Sequence, residues 1–90
     1  MKNKSEILIK FGDRVREIRT QKGLSQEQLA SLADVHRTYI GMIERGERNI
    51  SLTNMAVFAK VFEMSISELL DFSSINPKHS YKNYEIKIEE

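Results

Sequence analysis

Arg37, Thr38, Tyr39 and Arg45 share one short helical run, and their chemistry suits the edge of a double-stranded nucleic acid. An arginine in the first turn of such a helix can donate two parallel hydrogen bonds to guanine O6 and N7. Thr38 offers a hydroxyl to a base or phosphate and a methyl to thymine. The Tyr39 hydroxyl can reach a phosphate while its ring packs. At about 100° per residue, positions 36, 40 and 43 lie along one side of the helix and Arg37, Thr38, Gly41 and Arg45 along the other. Ile40 and Ile43 assign the first side to the core, so the second side faces out. Arg37 and Thr38 are therefore the candidates for reading bases, and Tyr39 and Arg45 for holding the backbone. Gly41 is expected to remove bulk and admit a groove wall. For either arginine taken alone, a solvated helix face is the competing explanation.

The elements that must position this run are all helical, since Gly and Pro are few and apolar residues recur at three-to-four spacing. A first helix beginning between Ser5 and Phe11 turns Phe11, Val15 and Ile18 inward and ends at Lys22-Gly23. Ser25 and Gln28 have the spacing of a capping box for a second helix, with Leu29 and Leu32 inward and Ala30 and Ala33 at close contacts. Asp34 is the turn residue, because aspartate tolerates positive φ. The third helix runs from about His36 to Arg45 and stops at Gly46. Ser51 or Thr53 caps a fourth, with a stripe of Leu52, Met55, Ala56, Ala59 and Phe62. Ser65 or Ser67 opens a short fifth. The expected organisation is an all-α, five-helix domain over residues 1–72 and a tail over 73–90. In that tail, Tyr84 to Glu89 alternates apolar and charged residues as a half-buried strand does. Such a strand is left disordered, paired with its copy in another subunit, or packed extended on the helices.

With 90 residues the chain suffices for one core. It holds no Cys, which removes disulfides and thiolate metal sites. The apolar start is too short for a signal peptide, and no run reaches the roughly 20 residues of a membrane span. A cytoplasmic protein with no membrane partner is expected. The net charge is only +1, but residues 1–60 carry 11 Lys and Arg against 7 Asp and Glu, while residues 61–90 carry 3 against 6. A basic body with an acidic end can still attract phosphate at one face. Enzyme chemistry finds no support: there is no phosphate-binding glycine loop, metal-spaced cluster or nucleophile triad, and His36 and His79 stand alone. No cofactor and no metal are expected.

Lys22 to Ala30, reading KGLSQEQLA, followed by Tyr39 to Gly46, reading YIGMIERG, resembles the phage repressor/Cro (XRE) helix-turn-helix family over about residues 10–72. The narrower strings His36 to Ile40 and Ile43 to Asn49 resemble the controller proteins of restriction–modification systems. The resemblance implies a DNA-binding transcription regulator that controls its own gene and the linked endonuclease gene. It implies that Gln26, next to the capping Ser25, binds a phosphate at the start of helix two. Arg37 and Thr38 match positions that read bases. Arg48 and Asn49 match positions that touch the DNA backbone or neighbouring groove. Arg19 and Glu44 match an ion pair tying helix one to the end of helix three. Asp34 departs from the glycine common at that turn.

One such domain reads few base pairs, so a two-fold dimer with half-sites about 34 Å apart is expected. Met64, Ile66, Leu69, Leu70 and Phe72 exceed what a short last helix needs and are the candidate interface. The implied partners are operator DNA, a second subunit, a second dimer on the same operator, and RNA polymerase. A phage-type repressor, an antitoxin-like regulator and an all-α protein-interaction module are the alternatives.

Overall fold

Side chains that accept hydrogen bonds from the first turn start four of the five helices in the computed structural model, which describes residues 5–73. The helices are α1 (Glu6–Gln21), α2 (Gln26–Ala33), α3 (Arg37–Glu44), α4 (Leu52–Phe62) and α5 (Ile66–Leu69). Ser25 and Ser65 form full capping boxes with Gln28 and Glu68, and Ser51 caps α4 through the Asn54 N–H. A capping side chain satisfies an N–H that has no partner inside its own helix. α2 and α4 end at Asp34 (φ 59°) and Glu63 (φ 61°), both left-handed. The aspartate was the expected turn residue; nothing in its type marks Glu63 for that conformation. The tail, including the alternating run from Tyr84 to Glu89, lies outside the described residues.

Phe11, Val15 and Ile18 of α1 meet Leu29, Ala30 and Ala33 of α2, Ile40 and Ile43 of α3, and Phe58, Ala59 and Phe62 of α4 in a single core. Ile50 and Leu69 complete it. Three expectations fail here. Leu32 is 60% exposed, because the buried arc of α2 is centred between Leu29, Ala30 and Ala33, and position 32 lies about 100° from that centre. On α4 Ala56 is exposed for the same reason, since it lies about 110° from the centre of the arc of Phe58, Ala59 and Phe62, and Leu52, the first residue of the helix, is 67% exposed. His36 does not share the core side of α3; it stands before the helix as its exposed cap.

α1 and α3 approach so closely that one position excludes any side chain. A Cβ on Gly12 would overlap the Ile43 carbonyl oxygen and lie 2.7 Å from that of Glu44. Gly46, at φ 75°, then turns the chain away just where a Cβ would meet the backbone of Ile9 at 3.2 Å. At the far end, Arg14 reaches from α1 to the last carbonyls of α5, with Nε donating to Leu69 O (3.2 Å) and Nη2 to Glu68 O (2.6 Å). A guanidinium there satisfies orphan carbonyls and complements the negative end of the helix.

Gly12→Ala is expected to destabilise the fold by about 1–3 kcal/mol, because the obstacle is the α3 backbone, which cannot move aside as a flexible side chain could. The helix-propensity gain of roughly 1 kcal/mol does not offset that clash. Urea unfolding followed by circular dichroism measures the net loss; an unchanged midpoint contradicts the close approach.

Candidate nucleic-acid interface

Arg37 and Thr38 occupy the first two positions of α3 and are exposed. His36 Nδ1 accepts the Thr38 N–H at 3.1 Å, which fixes where the helix begins and therefore where both side chains project. At the start of α2, Ser25 Oγ accepts from the Gln28 N–H (3.0 Å) while Gln28 Oε1 accepts from the Ser25 N–H (2.8 Å). The N–H groups of Gln26 and Glu27 remain at the positive end of the helix, where an anion is favoured. A shallow, mostly polar hollow lined by Arg19, Ser25, Gln26, Glu27 and Arg37 joins the two helix starts. Glu27 Oε2 faces Arg37 Nε across it at 3.9 Å.

Behind this hollow lies a buried carboxylate. The Glu44 side chain has 0% exposure and accepts from Arg19 through both oxygens, Nε to Oε2 at 2.6 Å and Nη2 to Oε1 at 3.1 Å. Gln26 Nε2 also donates to Oε1, at 3.0 Å. Arg19 Nη1 reaches the Leu24 carbonyl (2.8 Å), and Arg16 Nη2 the backbone carbonyl of Glu44 (3.0 Å). The ion pair implied for Arg19 and Glu44 is thus present, and it is wider than a pair: it ties α1, the loop before α2, the first residue of α2 and the end of α3. Gln26 is committed to this network through its side-chain amide.

Three of the remaining candidates lie on α3 or just past its end. Tyr39 is half-buried, its hydroxyl accepting from Asn54 Nδ2 at 2.9 Å, and the Arg48 guanidinium lies 5.3 Å above its ring. The ring thereby joins α3 to α4 and stations Arg48, as a cation–π contact can. Arg45 is exposed but forked onto Glu47, with Nε to Oε2 at 3.0 Å and Nη2 to Oε1 at 3.2 Å. That carboxylate raises the Arg45 pKa above the ordinary guanidinium value. Gly41 is a correction: it is buried, because Arg45 Nη1 lies 3.1 Å from where its Cβ would be, with Gln26 Oε1 at 4.0 Å. Its missing side chain makes room for protein atoms, so it presents no open surface to a groove wall.

Asn49 sits elsewhere. It lines a second hollow of about 230 Å³, almost wholly apolar, with Ile7, Leu8, Phe11, Ile50, Met55, Leu70 and Phe72. Of the five candidate interface residues, Leu69 is corrected, since it is fully buried and completes the domain's own core. Leu70 is exposed; Met64, Ile66 and Phe72 are half-buried against the core. Lys10 lies 5.8 Å over the Phe72 ring. Beside it, the N–H and hydroxyl of Ser73 donate to Asp71 Oδ1 (3.0 and 2.7 Å) and hold that carboxyl below its usual range.

Sequence reasoning missed Gly12, Arg16, Glu27 and Asn54. An isolated glycine inside a helical pattern is a signal of close packing, and Arg16 stands one turn before Arg19 on the same helix. Glu27 and Asn54 carry no such signal, because their partners are distant in the chain or on another helix.

The helix-turn-helix family matches residues 15–69. Control protein C.BamHI of Bacillus amyloliquefaciens is 47% identical over 72 residues, 79% of this chain and 89% of that protein. The crystal structure of the restriction-modification controller protein C.AhdI from Aeromonas hydrophila is 52% identical. It superposes with a TM-score of 0.67 over 69% of this chain and 94% of that one. The biofilm regulator SinR, solved in complex with DNA, is 34% identical, with a TM-score of 0.64 over 68% of this chain and 98% of that one.

Arg19→Met is expected to cost about 3–5 kcal/mol, the range for leaving a buried carboxylate without its main counter-ion. Thermal or urea unfolding measures it; a loss below about 1 kcal/mol, the range of exposed ion pairs, contradicts the role given to the pair.

Proposed function

Because the chain belongs to the helix-turn-helix family and, within it, to the control proteins of restriction–modification systems, we propose that it binds operator DNA as a two-fold dimer and regulates transcription from it. The observation that carries this reading is the placement of exposed Arg37 and Thr38 in the first turn of α3, beside the anion-favouring start of α2. In this reading α3 enters the major groove. The terminal Arg37 nitrogens take guanine O6 and N7, and Thr38 meets a neighbouring base or phosphate. The N–H groups at Gln26 and Glu27 hold one phosphate, with Ser25 at the rim. Tyr39, Arg45 and Arg48, on α3 or just past its end, hold others, and Asn49 reaches the flanking backbone. Arg45 must exchange Glu47 for DNA to do so. These contacts register the protein; Arg37 and Thr38 carry the sequence information.

The dimer in this reading forms through Met64, Ile66, Leu70 and Phe72 at the apolar end of the domain. Its support is the exposed Leu70 and the apolar hollow that Leu70 and Phe72 share with α1. The regulated genes are the chain's own and that of the linked endonuclease. The first dimer on the operator recruits RNA polymerase, and a second dimer shuts the promoter as protein accumulates. The site of action is the cytoplasmic nucleoid. Among the described residues no helix is long and apolar enough to cross a membrane.

Fluorescence anisotropy on the chain's own upstream DNA and on random duplex, over a salt series, tests the central claim. Affinity should fall steeply with salt on both, and Arg37→Ala should lose about 1–3 kcal/mol on the operator alone. Equal weakening on both duplexes excludes base reading by Arg37, and no salt-dependent binding at all leaves a protein-interaction module. Leu70→Glu is expected to yield monomers in sedimentation at concentrations where the parent is dimeric, with operator binding weakened accordingly; an unchanged mass overturns the interface.

A further inference from the structure

The atom of Arg37 that faces Glu27 is Nε, at 3.9 Å from Oε2. A guanidinium is planar, with its Nε–H on the inner edge and its two terminal nitrogens on the outer fork. A carboxylate on the Nε side leaves the fork free and turns it outward. We infer that Glu27 is a positioning residue for Arg37: from the start of α2 it steadies the inner edge of the guanidinium, so that the fork is presented to a base. The inference rests on the reading of α3 as the base-reading helix.

Two further observations support it. Arg37 and Glu27 have side chains 60% and 77% exposed, so packing alone restrains the arginine only weakly. Without a partner, a long side chain at this position would sample many orientations and lose that freedom only on binding. Glu27 also stands at the second position of α2, where the helix end favours its negative charge. The same carboxylate lies on the hollow proposed to take a phosphate, and there it opposes DNA of every sequence. Its presence thus weakens general attraction and sharpens one contact, which is how a repulsive element contributes to specificity. In free protein the pair is loose and screened; between protein and groove, with water displaced, its attraction strengthens.

Glu27→Gln separates these effects, because it keeps the shape and removes the charge. The probes are the best duplex selected by the parent protein from a random library and a random duplex of equal length. The variant should bind random duplex as tightly as the parent or more tightly. The ratio of selected to random affinity should fall by up to about fivefold, the equivalent of an exposed pair's 1 kcal/mol. In an Arg37→Ala background the same substitution should leave the ratio unchanged, since no guanidinium remains to be oriented. An unchanged or increased ratio in the single variant overturns the inference, as does a fall that persists without Arg37. Unfolding of Glu27→Gln should show no more than the small loss of one first-turn charge, with the domain fully folded under the binding conditions, so that the change reports binding. A parent protein that selects no duplex overturns the reading of α3 itself, a result distinct from the failure of Glu27 alone.

Discussion

The Glu44 carboxylate lies out of solvent at the C-terminal end of α3, where the helix's own field disfavours a negative charge. It is tolerated because Arg19 grips both oxygens and Gln26 donates to one of them. Each partner belongs to a different element, so satisfying the charge means assembling the elements. α1 comes to the end of α3, the first residue of α2 comes to both, and the loop at Leu24 is drawn in by the remaining Arg19 nitrogen. An apolar contact can slide with modest loss. A buried carboxylate that loses a donor cannot be repaired by sliding, and the network therefore sets the angle at which α3 is held.

Close backbone approach makes that angle sharp. Gly12 lets α1 rest on the last carbonyls of α3, one of which also receives Arg16. The C-terminal end of α3 is thus clamped by backbone and charge together, while its N-terminal end is held more lightly, by the His36 cap and by packing through Ile40. This asymmetry suits a reading helix: the anchored end is buried in protein, and the end carrying Arg37 and Thr38 projects from it. Tyr39 adds a lateral tie to α4 through Asn54 and presents a face for Arg48. Arg14 does for α5 what Arg16 does for α3, closing a helix C-terminus from α1. Without that tie, a helix of four residues has little local stability.

Much of this is legible in the sequence. The 3.6-residue period locates the helices and most of the core, and capping chemistry places Ser25 and the left-handed Asp34 while narrowing the start of α5 to Ser65 or Ser67, of which the structure takes Ser65. The period fails where a helix is short or apolar on most sides. On α2, Leu32 looks as apolar as Leu29, yet only about a third of an eight-residue helix is covered by neighbours, and Ala30 and Ala33 take that arc. On α4 the stripe drawn through Leu52 and Ala56 was rotated away from Phe58, since every position there but Thr53, Asn54 and Lys60 is apolar and the pattern barely distinguishes faces. Leu69 and Leu70 are adjacent and identical in type; one is fully buried and the other exposed. Gly41 signals that space is needed on α3 without naming what fills it, and the occupants are Arg45 and Gln26.

By itself the sequence determined the all-helical architecture, the turn between α2 and α3, and the candidacy of Arg37 and Thr38. These follow from properties carried within a few residues: periodicity, capping, and donor geometry. Only the tertiary structure decided that Glu44 is a hub rather than half of a pair, that Gln26 serves it, and that Glu27 faces the inner edge of Arg37. Those facts depend on distances between helices, which are set by the summed packing of the core and by the absence of one Cβ at Gly12. No local pattern encodes such a distance, because no single residue produces it.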